Sequence, residues 1–68
     1  MTIQVNLDMM LVKRKTSSRD LAAAIGLSET NLSLIKSGKI KGVRFATLNA
    51  ICAHLECQPG DILSFEPD

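Results

Sequence analysis

One stretch, from Ser17 to Ser37, constrains what the rest of this chain can do. It reads SSRDLAAAIGLSETNLSLIKS, two segments of helical apolar spacing separated by a glycine. Leu21, Ala24 and Ile25 recur at i, i+3, i+4, and Leu32 and Ile35 at i, i+3, so each segment carries one narrow apolar stripe. Helices that short are not stable alone and must pack on each other. Ser17 is placed to cap the first, with Asp20 three residues on to complete a capping box and to complement the positive helix end. Gly26 ends it, where a left-handed backbone costs least, Leu27 fills the gap beneath the turn, and Ser28 caps the second helix. Ala22 is small where the two helices cross most closely.

A chain of 68 residues holds one domain with a core too small to surround a deep catalytic cleft. The apolar residues are scattered at helical spacing and never form a run of roughly 20. The start of the chain lacks a basic segment followed by an apolar block, so neither a membrane span nor a signal peptide is expected, and the expected location is cytoplasmic. Cys52 and Cys57 are read as reduced thiols, one on the inward stripe of its helix and one in a loop. His54 between them suggests a C-x-H-x-x-C metal site, but two steps along a helix turn through roughly 200°, which points His54 away from Cys52. One histidine without a carboxylate or thiol partner gives no nucleophile and base, and no catalytic residue, metal or cofactor is assigned.

The formal net charge is only +1, yet its distribution is lopsided. All eight basic residues, Lys13, Arg14, Lys15, Arg19, Lys36, Lys39, Lys41 and Arg44, fall between positions 13 and 44, with only Asp20 and Glu29 as acids among them. The flanks carry Asp8, Glu56, Asp61, Glu66 and Asp68. One basic face and one acidic face follow, and a basic face on paired helices is suited to phosphate.

Small residue, glycine turn and paired stripes together are what a helix-turn-helix requires. From about Leu7 to Leu63 the chain resembles the DNA-binding domain of the Cro and phage C1 repressor type, also called the Xre family. The residues that carry the resemblance are Leu21, Ala22, Ile25, Gly26, Leu27, Leu32 and Ile35, then Gly38 and Lys39, then TLNAIC and the closing PGDIL. The resemblance implies an all-α, five-helix, lambda-repressor-like domain. Helices are expected at about 7–15, 18–25, 29–36, 45–55 and 59–63, with short strands at 2–5 and 62–66 that pair as a small antiparallel sheet or else remain frayed tails.

Asn6 is placed to cap the first helix, whose stripe is Leu7, Met10 and Leu11 and extends toward Arg14. Lys13, Arg14 and Lys15 complement the dipole at its end. The fourth helix carries Phe45, Leu48, Ile51, Cys52 and Leu55 toward the core. Pro59 suits the first turn of the fifth, with Asp61 in that turn, and Phe65 is a candidate anchor for a terminal strand or a dimer contact. The glycines of SGKIKGV make a loop, not a nucleotide cradle, because no strand precedes them and no G-K-[ST] follows.

In the family, the third helix enters the major groove. With Leu32 and Ile35 turned inward, Glu29, Thr30, Ser33 and Leu34 form its outer face and are the candidate base readers. A carboxylate accepts from cytosine N4, a hydroxyl serves either partner, and a methyl meets the thymine methyl. Glu29 is alternatively a plain N-terminal helix acid, and Leu34 is either a thymine reader or a protein contact. Candidate phosphate binders are Ser18, Arg19, Asn31, Lys36, Lys39, Lys41 and Arg44. Ser18 stands where the family commonly has a glutamine that touches phosphate, so its reach is shorter. The resemblance implies a double-stranded DNA operator as partner and a homodimeric transcriptional regulator, a repressor or autoregulator, with no small-molecule ligand. The dimer surface lies either at the terminal strands or on the fourth and fifth helices. The other reading on the same scaffold is a protein-interaction module, such as an antitoxin or an anti-repressor.

Overall fold

A computed structural model describes residues 2–39 and 42–67; Lys41, one of the expected phosphate binders, lies outside them. The order is β1 (Thr2–Val5), α1 (Leu7–Lys13), α2 (Ser18–Ile25), α3 (Glu29–Lys36), α4 (Phe45–Leu55), α5 (Pro59–Ile62) and β2 (Leu63–Glu66). Five helices surround one apolar centre, and the two ends of the chain meet. β1 and β2 pair antiparallel in the register Thr2–Glu66, Ile3–Phe65, Gln4–Ser64 and Val5–Leu63. Asn6 ties the sheet to the helices, its N–H donating to the Ile62 carbonyl at 2.6 Å and its side-chain amide to the Ser64 hydroxyl at 3.1 Å. That use of the amide displaces the expected one: Asn6 stands at the N-cap position of α1 but makes no side-chain cap.

The core is Leu7, Met10, Leu11, Leu21, Ala22, Leu32, Ile35, Ile51, Leu55 and Ile62, with Ile25, Leu27, Leu48 and Cys52 among the partly buried residues packed against it. All are apolar, and no polar side chain is buried among the described residues. Burying each leucine or isoleucine contributes about 1.5–3 kcal/mol, which is what holds short helices together.

Several expected details differ. The α2 stripe is Leu21, Ala22 and Ile25, whereas Ala24 is exposed. α2 packs against both α3 and α4, and that pair of neighbours rotates its inward face toward Ala22. Phe45 is 80% exposed instead of buried, because the first turn of α4 overhangs the core and the inward stripe starts at Leu48. α1 stops at Lys13 instead of Lys15: Lys15 turns left-handed at φ 54°, and the Thr16 N–H closes the helix on the Leu11 carbonyl at 2.9 Å. Arg14 thereby leaves the stripe and reaches the end of α4, where Nε donates to the Leu55 carbonyl at 2.9 Å and Nη2 to the Glu56 carbonyl at 3.1 Å. α5 stops at Ile62 instead of Leu63, since Leu63 is already extended (φ −121°, ψ 139°) and begins β2.

Candidate nucleic-acid interface

The α2–turn–α3 unit is assembled by its capping residues. The Ser17 hydroxyl accepts from the Asp20 N–H at 3.0 Å, and the Ser28 hydroxyl from the Asn31 N–H at 3.1 Å, so the leading turns of both helices are closed by side chains. Gly26 sits at φ 72°, and the Leu27 N–H then closes α2 on the Ala22 carbonyl at 2.9 Å. This bonded turn fixes the angle at which α3 leaves. Leu32 and Ile35 enter the core, and the opposite face of α3 is left in solvent. Gly38 repeats the device at φ 74°, with the Lys39 N–H on the Leu34 carbonyl at 3.2 Å.

Glu29, Thr30 and Ser33 are exposed, and Leu34 is 42% exposed. These four line one open depression together with Ser18, from the start of α2, and Lys36. Asn31 and Arg44 fall on the other flank of α3, in a second depression shared with Leu34, Gly42 and Thr47. Arg44 occupies the N-cap position of α4 without a side-chain cap, so the first amides of that helix remain open to an anion. Arg19 and Lys39 are exposed. Arg14 is not on this surface, being committed to the end of α4.

Lys36 is held rather than free. Its Nζ donates to the Ser18 hydroxyl at 2.7 Å and pairs with the Asp8 carboxylate at 2.9 Å. The lysine side chain is 24% exposed and the aspartate 72%. This triad ties α1, α2 and α3 together at the rim of the depression. Sequence reasoning counted Asp8 only as part of an acidic flank, and no spacing within the chain signals that the second residue of α1 meets the last of α3.

Cys52 and Cys57 are free thiols at the other end of α4. Burial, with Cys52 alongside, pushes the Cys57 thiol above its ordinary value. Among the described residues, no helix is long and apolar enough to cross a membrane.

A polar helix presented from a capped turn, with cationic and hydroxyl groups around it, defines a helix-turn-helix surface of the nucleic-acid-binding class. A family model for the Cro/C1-type HTH DNA-binding domain matches residues 6–68. Over all 68 residues the chain is 52% identical to an uncharacterised HTH-type transcriptional regulator of Bacillus subtilis (strain 168), YozG, covering 81% of that protein. The crystal structure of the transcriptional regulator VanUg superimposes with a TM-score of 0.77 at 31% identity, over 97% of this chain and 87% of that one. The chain belongs to the Cro/C1-type helix-turn-helix family of DNA-binding transcriptional regulators.

Proposed function

We propose that this chain is a sequence-specific regulator that binds a two-fold operator as a homodimer, acting as a repressor or autoregulator. The observation that carries the reading is the outer face of α3: Glu29, Thr30, Ser33 and Leu34 lie side by side in solvent, next to Ser18 at the start of α2. A helix of 8 residues presented in this way fits the major groove. In this reading Glu29 accepts from cytosine N4, Thr30 and Ser33 donate or accept as the base requires, and the Leu34 methyls meet a thymine methyl. Phosphates on one side are held by Ser18, Arg19 and Lys36. On the other they are held by Asn31 and Arg44, with the open amides of α4 adding fixed donors, and Lys39 and Lys41 are assigned to phosphate as well. Two protomers on one face of the duplex place their α3 helices about 34 Å apart, one helical turn.

Selection of bound duplexes from a random pool, followed by titration of the winner and of a scrambled copy at two salt concentrations, tests this. The expected result is an inverted repeat, bound in clear preference to the scrambled copy. Thr30→Ala should change preference at one position by about 1–3 kcal/mol, whereas Lys39→Ala should weaken all duplexes alike and reduce the salt slope by about one. Equal, salt-sensitive binding of both duplexes would refute base reading and turn the search to a protein partner.

A further inference from the structure

The last turn of α4 closes on a pair of cysteines. Glu56 turns left-handed at φ 51°, and the N–H groups of Glu56 and Cys57 both donate to the Cys52 carbonyl, the Cys57 bond at 3.0 Å. A helix end closed in this way brings the side chains of the two outer residues of the motif into contact, a place that ordinarily holds two apolar groups. Here both are thiols. The 3.0 Å backbone bond between the two residues keeps their Cα atoms within about 7 Å of each other, the span that a disulfide can bridge. The thiols are free, lie alongside each other and are only partly buried against the core, so a small molecule can reach them. Arg14 fixes the same corner from outside, since the Leu55 and Glu56 carbonyls that it binds both lie between the two cysteines in the chain.

We propose that Cys52 and Cys57 are a reversible dithiol–disulfide site, closed by exchange with a low-molecular-weight disulfide and reopened by a low-molecular-weight thiol. In closing, one protein thiolate attacks a sulfur of the small disulfide, breaks its S–S bond and displaces one small thiolate, leaving a mixed disulfide. The other protein thiolate then attacks the protein sulfur of that bond, forms the Cys52–Cys57 bond and displaces the second small thiolate. The protein gives up two electrons and two protons, and the small disulfide leaves as two thiols. The geometry favours this second step. The neighbouring thiol is already held in place by the helix end, whereas a further small disulfide must arrive from solution. Burial, then Cys52 and Asp61, keep the Cys57 thiol protonated at neutral pH against the opposing pull of Arg14, so the pair rests reduced and exchanges slowly. The cysteines lie at the end of α4 opposite Arg44, and the proposal stands independently of the DNA reading.

The full chain, equilibrated with millimolar reduced and oxidised glutathione, quenched in acid and alkylated, tests the site by mass spectrometry. The expected product is a single chain lighter by two hydrogens, closed to alkylation, with Cys52 and Cys57 in one linked peptide. It should outnumber chains carrying two glutathiones by at least about 100-fold. Cys52→Ser and Cys57→Ser should each take up one glutathione and stop there. Wild type in concentrated urea gives a measure that depends on no variant: because the fold brings the thiols together, the ratio of closed to reduced chain should be at least about 10-fold higher in native buffer than in urea. Circular dichroism of the closed chain should match that of the reduced one. Separate mixed disulfides on both cysteines, disulfide-linked pairs of chains, or closure no more favourable in native buffer than in urea would each overturn the proposal. So would loss of helix on closure, since the bond would then need a corner that the fold does not supply.

Discussion

Asp8→Asn removes the carboxylate that the fold brings against Lys36 at the rim of the α3 depression. In the native arrangement the Asp8 carboxylate lies 2.9 Å from Lys36 Nζ and partly neutralises it, while Ser18 holds the same nitrogen at 2.7 Å. The carboxylate is 72% exposed, so water screens the pair. Its loss should cost no more than about 1 kcal/mol of folding stability, a fall in Tm of about 4–8 °C for each kcal/mol at this chain length. The effect on DNA has the opposite sign. Lys36 keeps its hydroxyl partner but is free to turn its charge toward a phosphate. One additional phosphate neutralised steepens the plot of log affinity against log salt by about 0.9. The gain should be equal for operator and scrambled duplexes, since a phosphate contact carries no base information. Fluorescence anisotropy at four salt concentrations on wild type, Asp8→Asn, Lys36→Ala and the double variant completes the cycle. In the Lys36→Ala background the aspartate change should leave the slope unmoved. An unaltered slope in Asp8→Asn, or the same steepening with and without Lys36, would refute the role assigned to this pair.

Three further outcomes follow from the packing. Leu32→Ala should lower unfolding free energy by about 2–5 kcal/mol in urea titration, whereas Phe45→Ala, at an exposed first turn, should change it by less than about 0.5 kcal/mol. Gly26→Ala forces a β-carbon into the left-handed region at φ 72° and should cost about 1–2 kcal/mol although open space surrounds the site. Because burial, then Cys52 and Asp61, push the Cys57 thiol above its ordinary 9.0, the unfolded chain ionises first as pH rises. Stability is intact below that pH and declines above it, and Cys57→Ser should flatten the alkaline decline in denaturant midpoints.

The local devices were legible because they act over a few residues. Ser17, Gly26 and Ser28 mark caps and a turn through the chemistry of their own backbone, and the 3.6-residue period of Leu32 and Ile35 fixes which side of α3 turns away from the core. The alternation of Ile3 with Val5 and of Leu63 with Phe65 was enough to expect short strands, whereas their pairing was implied only by the family resemblance. Element ends were less well specified. The end of α1 depends on Lys15 turning left-handed while Arg14 is drawn to the carbonyls closing α4, a partner 41 residues away in sequence.

The sequence by itself therefore determined the helix-turn-helix, its caps and the polar outer face of α3, all set by interactions within one or two helical turns. Only the tertiary structure decided that Ala24 of α2 faces solvent, that Phe45 is exposed, and that Asp8, Ser18 and Lys36 converge. Those outcomes depend on how three helices from separate parts of the chain cross, and a side chain carries no local mark of a neighbour it meets only after the core has closed.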